Sequence, residues 1–367
     1  MGTINLARLK NCMQRAENGG ELTIGFLGGS ITQGSLATKP ENCYAYRVYS
    51  WWKQAFPQAA FHYVNGGIGG TTSHFGVARA KTDVLMYQPD VVFVDFSVND
   101  NADVFFQETY EGVIRTLLTW HSNPAVILLN NVYYDTGKNA QEYHNAVGDW
   151  YQIPHVSIKD TLYENMKAGM YTRKELTQDG LHPNDKGHAL VAAEIITFLE
   201  RVKDCIQEKI CIHENKEAAL MLKLPKPMTA NAYEHAKRLT IREISPKLEG
   251  FRADPQEKAG HLDFFKNGWI GKKAGDKISF ALTCSCIAVQ YRKTIAKPAL
   301  QAKLILDGDT DHAKVLDGNF DEDWGDCLYL EPILHHGKHQ KHIVAIEVME
   351  QQPENATPFY LLSLIIT

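Results

Sequence analysis

Residues 90–100 read Asp-Val-Val-Phe-Val-Asp-Phe-Ser-Val-Asn-Asp. From Val91 to Phe96 the run is apolar except at Asp95, which suits a strand covered on both faces, and it stops at a cluster of turn-forming residues. Working outward, Ala125–Leu129 (AVILL) reads as a second central strand. Glu21–Leu27 (ELTIGFL) reads as a third, ending in Gly28-Gly29, with shorter strands at Phe61–Val64 and up to Val156. Helical spacing marks Tyr44–Phe56, Val104–Trp120 and Ala140–Trp150, and Pro183 opens a long helix through Leu190, Val191, Ile195, Ile196 and Leu199. Strands that alternate with helices imply right-handed crossovers and a three-layer αβα domain built on a parallel sheet. Active residues in such sheets sit beyond the carboxyl ends of the strands, so the places to inspect follow Leu27, Val64, Phe96 and Asn130.

The chain has 367 residues, enough for two domains. Residues 1–207 carry the α/β pattern, and 208–235, with Pro225 and Pro227, reads as a linker or first edge strand. Residues 236–367 hold short alternating runs at Lys277–Leu282, Ile287–Tyr291, Leu304–Leu306, Cys327–Leu334, His342–Val348 and Tyr360–Ile366. That pattern predicts an antiparallel β-sandwich of jelly-roll type. With 38 Lys+Arg against 43 Asp+Glu, the net charge of −5 offers no field for nucleic acid or an anionic membrane surface. No run of about 18 apolar residues occurs, and the first twenty residues do not resemble a secretory leader, so a cytoplasmic protein is expected. Seven scattered cysteines, Cys12, Cys43, Cys205, Cys211, Cys284, Cys286 and Cys327, fit reduced thiols better than a disulfide framework.

Four segments fall where chemistry is expected. Gly28-Gly29-Ser30-Ile31-Thr32 is not a G-x-S-x-G elbow, because Thr32 replaces the second Gly, and it lacks the Lys of a phosphate-binding loop. It presents one hydroxyl at a strand end, and taken alone could equally be a turn whose Ser caps a helix. Asn65-Gly66-Gly67-Ile68-Gly69-Gly70-Thr71-Thr72-Ser73 packs four Gly into positions 66–70. Such a loop brings N–H groups close to a phosphate or an oxyanion, or merely turns. Ser97-Val98-Asn99-Asp100 either aims the Asn99 amide at developing negative charge or closes the strand as an Asx turn. In Asp179-Gly180-Leu181-His182-Pro183-Asn184 the carboxylate can hold the imidazole's Nδ1–H. A metal pair with His188 and a structural histidine are the alternatives, though no recognised metal-ligand pattern accompanies them.

Together and in this order, the four segments resemble the SGNH (GDSL-type) hydrolase superfamily over about residues 20–207. The resemblance implies Ser30 as nucleophile, His182 and Asp179 as base and acid, and Ser30, Gly70 and Asn99 as oxyanion donors. Gly29 stands where that family carries Asp, Ser97 where it often carries Gly, and Gly69 competes with Gly70 for the donor position. The pairing with a β-sandwich is similar to two-domain bacterial carbohydrate O-acetyl esterases, including those acting on acetylated mannan. The resemblance therefore implies a serine esterase acting on acetylated hemicellulose oligosaccharides, mannan favoured and xylan the second choice. A short-chain lipid or aryl esterase or thioesterase, and a carbohydrate-binding protein with an inactive hydrolase domain, are the rivals.

In the second half, Asp317–Asp326 is a polar stretch holding Phe320 and Trp324. Trp324 could stack on a sugar, or tuck into the core beneath a solvated acidic loop, and calcium is a lesser alternative for the acids, whose spacing lacks the EF-hand pattern. Tyr133, just past the AVILL strand, is a candidate pocket border, whereas Trp51 and Trp52 read as core. No metal and no cofactor is expected. The partner is an acetylated oligosaccharide, not nucleic acid or membrane, and the number of subunits is left open.

Overall fold

The computed structural model describes residues 4–207, 224–350 and 353–367. The chain divides into two compact units, Met1–Glu234 and His235–Thr367.

In the first unit the strands β1 (Glu21–Gly28), β2 (Ala60–Gly67), β3 (Val91–Asp95), β4 (Ala125–Asn130) and β5 (His155–Ser157) form one sheet in the order β2-β1-β3-β4-β5. Every pairing is parallel. Every residue of β3 and β4 is buried, which is why their sequences read as unbroken apolar runs. The register sets Gly28 opposite both Gly67 and Asp95, so three strands end level and the segments that follow them emerge side by side.

The helices are α1 (Ala7–Glu17), α2 (Ser30–Gln33), α3 (Tyr44–Ala55), α4 (Ser73–Asp83), α5 (Val104–Leu118), α6 (Gln141–Trp150), α7 (Glu164–Lys167), α8 (Arg173–Leu176) and α9 (Asp185–Gln207). Helix α1 was not marked by the sequence pattern. It buries Leu9, Cys12, Met13 and Ala16 but starts without a side-chain cap, so no boundary signal announces it. Helix α9 starts two residues later than Pro183 suggests, because Pro183 bridges Thr177 and the Asn184 N–H donates to the Leu176 carbonyl. Its Val191, Ile195, Leu199 and Val202 share the core with Trp52 and the nearly buried Trp51, as expected of that tryptophan pair. Each such side chain contributes roughly 1.5–3 kcal/mol by leaving water.

Residues 225–234, read in the sequence as linker, run along α5; 208–223 lie outside the described residues. The wholly buried Glu111 carboxylate accepts from the backbone N–H groups of Met228 and Thr229, at 2.6 and 2.8 Å. Arg115 donates to Glu234 at 2.6 Å and to the Pro225 carbonyl at 3.1 Å. Prolines marked this stretch as irregular, but its backbone donors find a carboxylate that the sequence pattern hides in a helix.

The second unit pairs two antiparallel sheets. Its strands are β6 (Lys237–Leu239), β7 (Lys247–Glu249), β8 (Arg252–Ala253), β9 (Trp269–Gly271), β10 (Lys277–Cys284), β11 (Ile287–Lys293), β12 (Gln301–Leu306), β13 (Asp309–Asp317), β14 (Cys327–Leu334), β15 (Gln340–Val348) and β16 (Phe359–Ile366). One sheet runs β13-β12-β15-β10-β7 and the other β14-β11-β16-β9-β8, with β6 also on β16. Alternate residues of β10 (Ile278, Phe280, Leu282) and β15 (Val344, Ile346, Val348) point inward to one sandwich core with Val289, Leu304 and Leu361. Strand β13 escaped the sequence reading because it is an exposed edge with almost no buried residue, and so carries no alternation. Among the described residues no helix is long and apolar enough to cross a membrane, and the six described cysteines are all unpaired.

His188, one turn into α9, is fully buried. Its Nδ1 accepts the Tyr44 N–H at 3.3 Å and its Nε2 donates to the Ser35 carbonyl at 3.1 Å. Both ring nitrogens are committed to the chain, so His188 does not offer a metal a ligand beside His182. Burial draws its pKa down from 6.5 to about 4. Between those values the unfolded chain binds the proton and the folded one does not, so stability falls as pH drops from about 6.5 toward 4. His188→Gln should flatten that part of the pH profile by roughly 3 kcal/mol. Urea titrations at a series of pH values check this, and a variant with the wild-type slope would contradict it.

Candidate active site

Ser30 opens the single helical turn α2 directly after β1, and Gly34, in the left-handed region at φ 103°, closes it. As the first helical residue Ser30 has a backbone N–H with no partner four residues earlier. A Cβ at Gly29 would stand 2.1 Å from Asn99 Oδ1, so the missing acid of the family pattern is space occupied by the Asn99 side chain. Behind the turn, Thr32 Oγ1 lies 2.8 Å from Tyr44 Oη and donates to Asp95 Oδ2 at 3.2 Å. Asn131 Nδ2 donates to the same Asp95 oxygen at 2.8 Å, while Asp95 Oδ1 has no partner. Burial pushes the Asp95 carboxyl up to about 7, against those two hydrogen bonds.

The loop from Thr177 to Asn184 brings the other half of the row. His182 Nε2 lies 2.8 Å from Ser30 Oγ, and His182 Nδ1 lies 2.6 Å from Asp179 Oδ2. Asp179 Oδ1 accepts the backbone N–H groups of Leu181 and His182 at 2.9 and 2.8 Å, and the Thr177 hydroxyl at 3.1 Å. Partial burial opposes the charge on Asp179, but the His182 imidazole and the two backbone donors outweigh it and hold the carboxyl at about 2. The loop is also tied to the end of β4: the Tyr134 N–H donates to the Gly180 carbonyl at 2.7 Å. Tyr133, the neighbour of Tyr134, is 37% exposed.

On the opposite side stands the glycine loop. The Ile68 N–H donates to the Gly28 carbonyl at 3.0 Å, which lays the loop against the serine turn. Gly69 is close to Ser30, but its N–H is committed to Gln33 Oε1 at 2.6 Å. Gly70 beside it sits exposed at φ 67°, a conformation that glycine adopts at little cost. Ser97 is absent from the described residues with positive φ, and its hydroxyl donates to the Asn131 carbonyl at 2.9 Å, so the third segment does without a glycine there.

Sequence reasoning missed the buried groups that hold these segments. Arg79 of α4 is 1% exposed and donates to the Gly66 and Gly28 carbonyls at 2.5 and 2.8 Å, and to Thr71 Oγ1 at 3.2 Å. It pins two strand ends and the glycine loop together. Its only signal was a cation at an otherwise inward-facing helical position. In the second unit Trp324 is 51% exposed, its Nε1 donating to Glu322 at 2.5 Å and its ring edge-on to Phe320. Of the two alternatives for it, the core position does not occur.

A hydroxyl, an imidazole and a carboxylate in one hydrogen-bonded row, beside glycine-loop N–H groups at the carboxyl ends of a parallel sheet, define a hydrolase of the SGNH class. The chain belongs to the GDSL-like Lipase/Acylhydrolase family, whose model matches residues 26–190. It is 47% identical to a two-domain esterase (CEX) active on acetylated mannans, solved alone and co-crystallised with mannopentaose. In the latter comparison 99% of this chain and 95% of that one are covered, with a TM-score of 0.93. An acetyl xylan esterase, AlAXEase, is 25% identical over 48% of this chain and 98% of that one, with a TM-score of 0.40. Among curated proteins none matches.

Because Asp179 is held at about 2, it stays ionised over the whole working range. Asp179→Asn should lower kcat on the order of 10³- to 10⁴-fold near neutral pH, since the imidazole loses the acceptor that orients it and the imidazolium loses its partner. Steady-state rates on a nitrophenyl acetate test this, and turnover within a few-fold of wild type would contradict it.

Proposed function

We propose that the chain is a serine esterase that removes O-acetyl groups from acetylated mannan oligosaccharides, with residues 1–207 carrying the chemistry and 236–367 an accessory carbohydrate-binding-like domain. Ser30 Oγ attacks the acetyl carbonyl carbon while His182 Nε2 takes the hydroxyl proton. The tetrahedral oxyanion is held by the N–H groups of Ser30 and Gly70 and by the Asn99 amide. Collapse breaks the bond to the sugar oxygen, which leaves with the proton from His182, and Ser30 remains acetylated. Water then gives its proton to His182, attacks the acetyl group, and releases acetate as Ser30 recovers its hydrogen.

The observation that carries this reading is the pair of contacts at 2.8 and 2.6 Å from Ser30 through His182 to Asp179. A serine hydroxyl is a weak nucleophile without such a base. The mannan preference is supported by the likeness along the whole chain to an esterase active on acetylated mannans. Exposed Trp324 and Tyr133 suit stacking on sugar faces. The six described cysteines, all unpaired, suit a reducing compartment such as the cytoplasm.

Asn99→Ala should lower kcat about 100- to 1,000-fold, the usual loss for one oxyanion donor, with the unfolding midpoint nearly unchanged. Near-normal turnover would remove Asn99 from the scheme. Substrate class is read by mass spectrometry of acetylated mannan and xylan oligosaccharides incubated with wild type and Ser30→Ala. Stepwise loss of acetyl mass from mannan alone, absent with Ser30→Ala, is the expected result. Deacetylation that persists in Ser30→Ala would overturn the mechanism, and a preference for long-chain nitrophenyl esters would overturn the substrate.

A further inference from the structure

Asp100 directly follows Asn99, and its side chain is completely buried. Leaving a carboxylate in the interior is costly unless hydrogen bonds satisfy it, so its partners show what it is there to hold. Oδ1 accepts the Ser73 backbone N–H at 2.8 Å, and Oδ2 lies 3.0 Å from Nε2 of His144 on α6. The equally buried His144 ring lies flat on Tyr110 of α5, with centroids 3.6 Å apart and planes 3° apart. The carboxylate thus has a rigid wall on one side and the start of α4 on the other.

Ser73 is the first residue of α4 and stands three residues after Gly70. Its N–H is one of the donors that a helix cannot satisfy internally. At its other end the same loop is fastened by Arg79 through the Gly66 carbonyl. Gly70 therefore lies between two buried anchors, and one of them is chemically attached to Asn99.

We infer that Asp100 is a positioning residue of the oxyanion site, fixing Gly70 and Asn99 relative to each other through the Ser73 N–H and His144. This rests on the acyl-transfer reading above. Moving the carboxylate turns Asn99 and frees the glycine loop in one step, so the donors lose their common aim while the substrate's ground-state contacts are untouched.

The decisive variant is Ser73→Pro, which deletes the N–H that Asp100 holds. Proline is tolerated at the first position of a helix, and Thr72 before it is already extended at φ −99°, ψ 173°. Ser73→Ala keeps the N–H and removes only the hydroxyl, which bonds Thr109. On a nitrophenyl acetate, Ser73→Pro should lower kcat at least about 10-fold more than Ser73→Ala does, with KM little changed. In an Asn99→Ala background the Ser73→Pro loss should shrink to a few-fold, because the two act through one site. Asp100→Ala carries the same expectations, so a single soluble member of the pair is enough. Equal losses for Ser73→Pro and Ser73→Ala, or full additivity with Asn99→Ala, would overturn the inference. If Ser30→Ala and Asn99→Ala themselves leave turnover intact, the acyl-transfer reading fails instead.

Discussion

A 2.8 Å contact between Ser30 Oγ and His182 Nε2 joins residues 152 apart in the chain, and the proposed acyl transfer depends on that distance being kept. Neither residue can set it alone. Ser30 is fixed by the end of β1, whose register against β2 and β3 brings three strands to a common level. His182 is fixed by the loop that precedes α9, and α9 packs its apolar side against the core that α3 shares. Between the two, Asp185 accepts the Thr38 N–H and hydroxyl at 2.9 and 2.6 Å, a direct strap from the start of α9 to the segment following the serine turn. His188 adds a second strap one turn further on, through Tyr44 and Ser35.

Much of this was legible in the sequence, for a definite reason. Strands β3 and β4 are buried on both faces, and such strands advertise themselves as apolar runs. The candidate site residues Ser30, Gly70 and Asn99 follow the strand ends, where turn-formers and glycines also stand out. What stayed hidden has the opposite character. Asp100, Glu111 and Arg79 are ionisable groups inside the core, and such a residue reads as a solvent-facing position until its partners are known. Helix α1 lacks a cap, and β13 lacks an inward face. Neither offers the periodic contrast from which an element is recognised.

The departures from the family pattern turn out to be local substitutions of contact. Where an aspartate is usual at position 29, the space is taken by Asn99. Where glycine is usual at 97, a serine uses ordinary backbone angles and ties its hydroxyl to the end of β4 through Asn131. Around these positions Asn99 lies against Gly29, and Gly69 lies beside Ser30.

The Asp179–His182 pair differs from Ser30 in how it is built. Asp179 takes all its described hydrogen bonds from its own loop, from Thr177, Leu181 and His182. The orientation of imidazole to carboxylate is thus encoded within half a dozen consecutive residues, like a prefabricated part, whereas the approach of that part to the serine is an assembly tolerance of the whole domain. A slow drift of the scaffold, over evolution or during thermal wear, would carry the pair along intact and show itself first as a widening gap to Ser30.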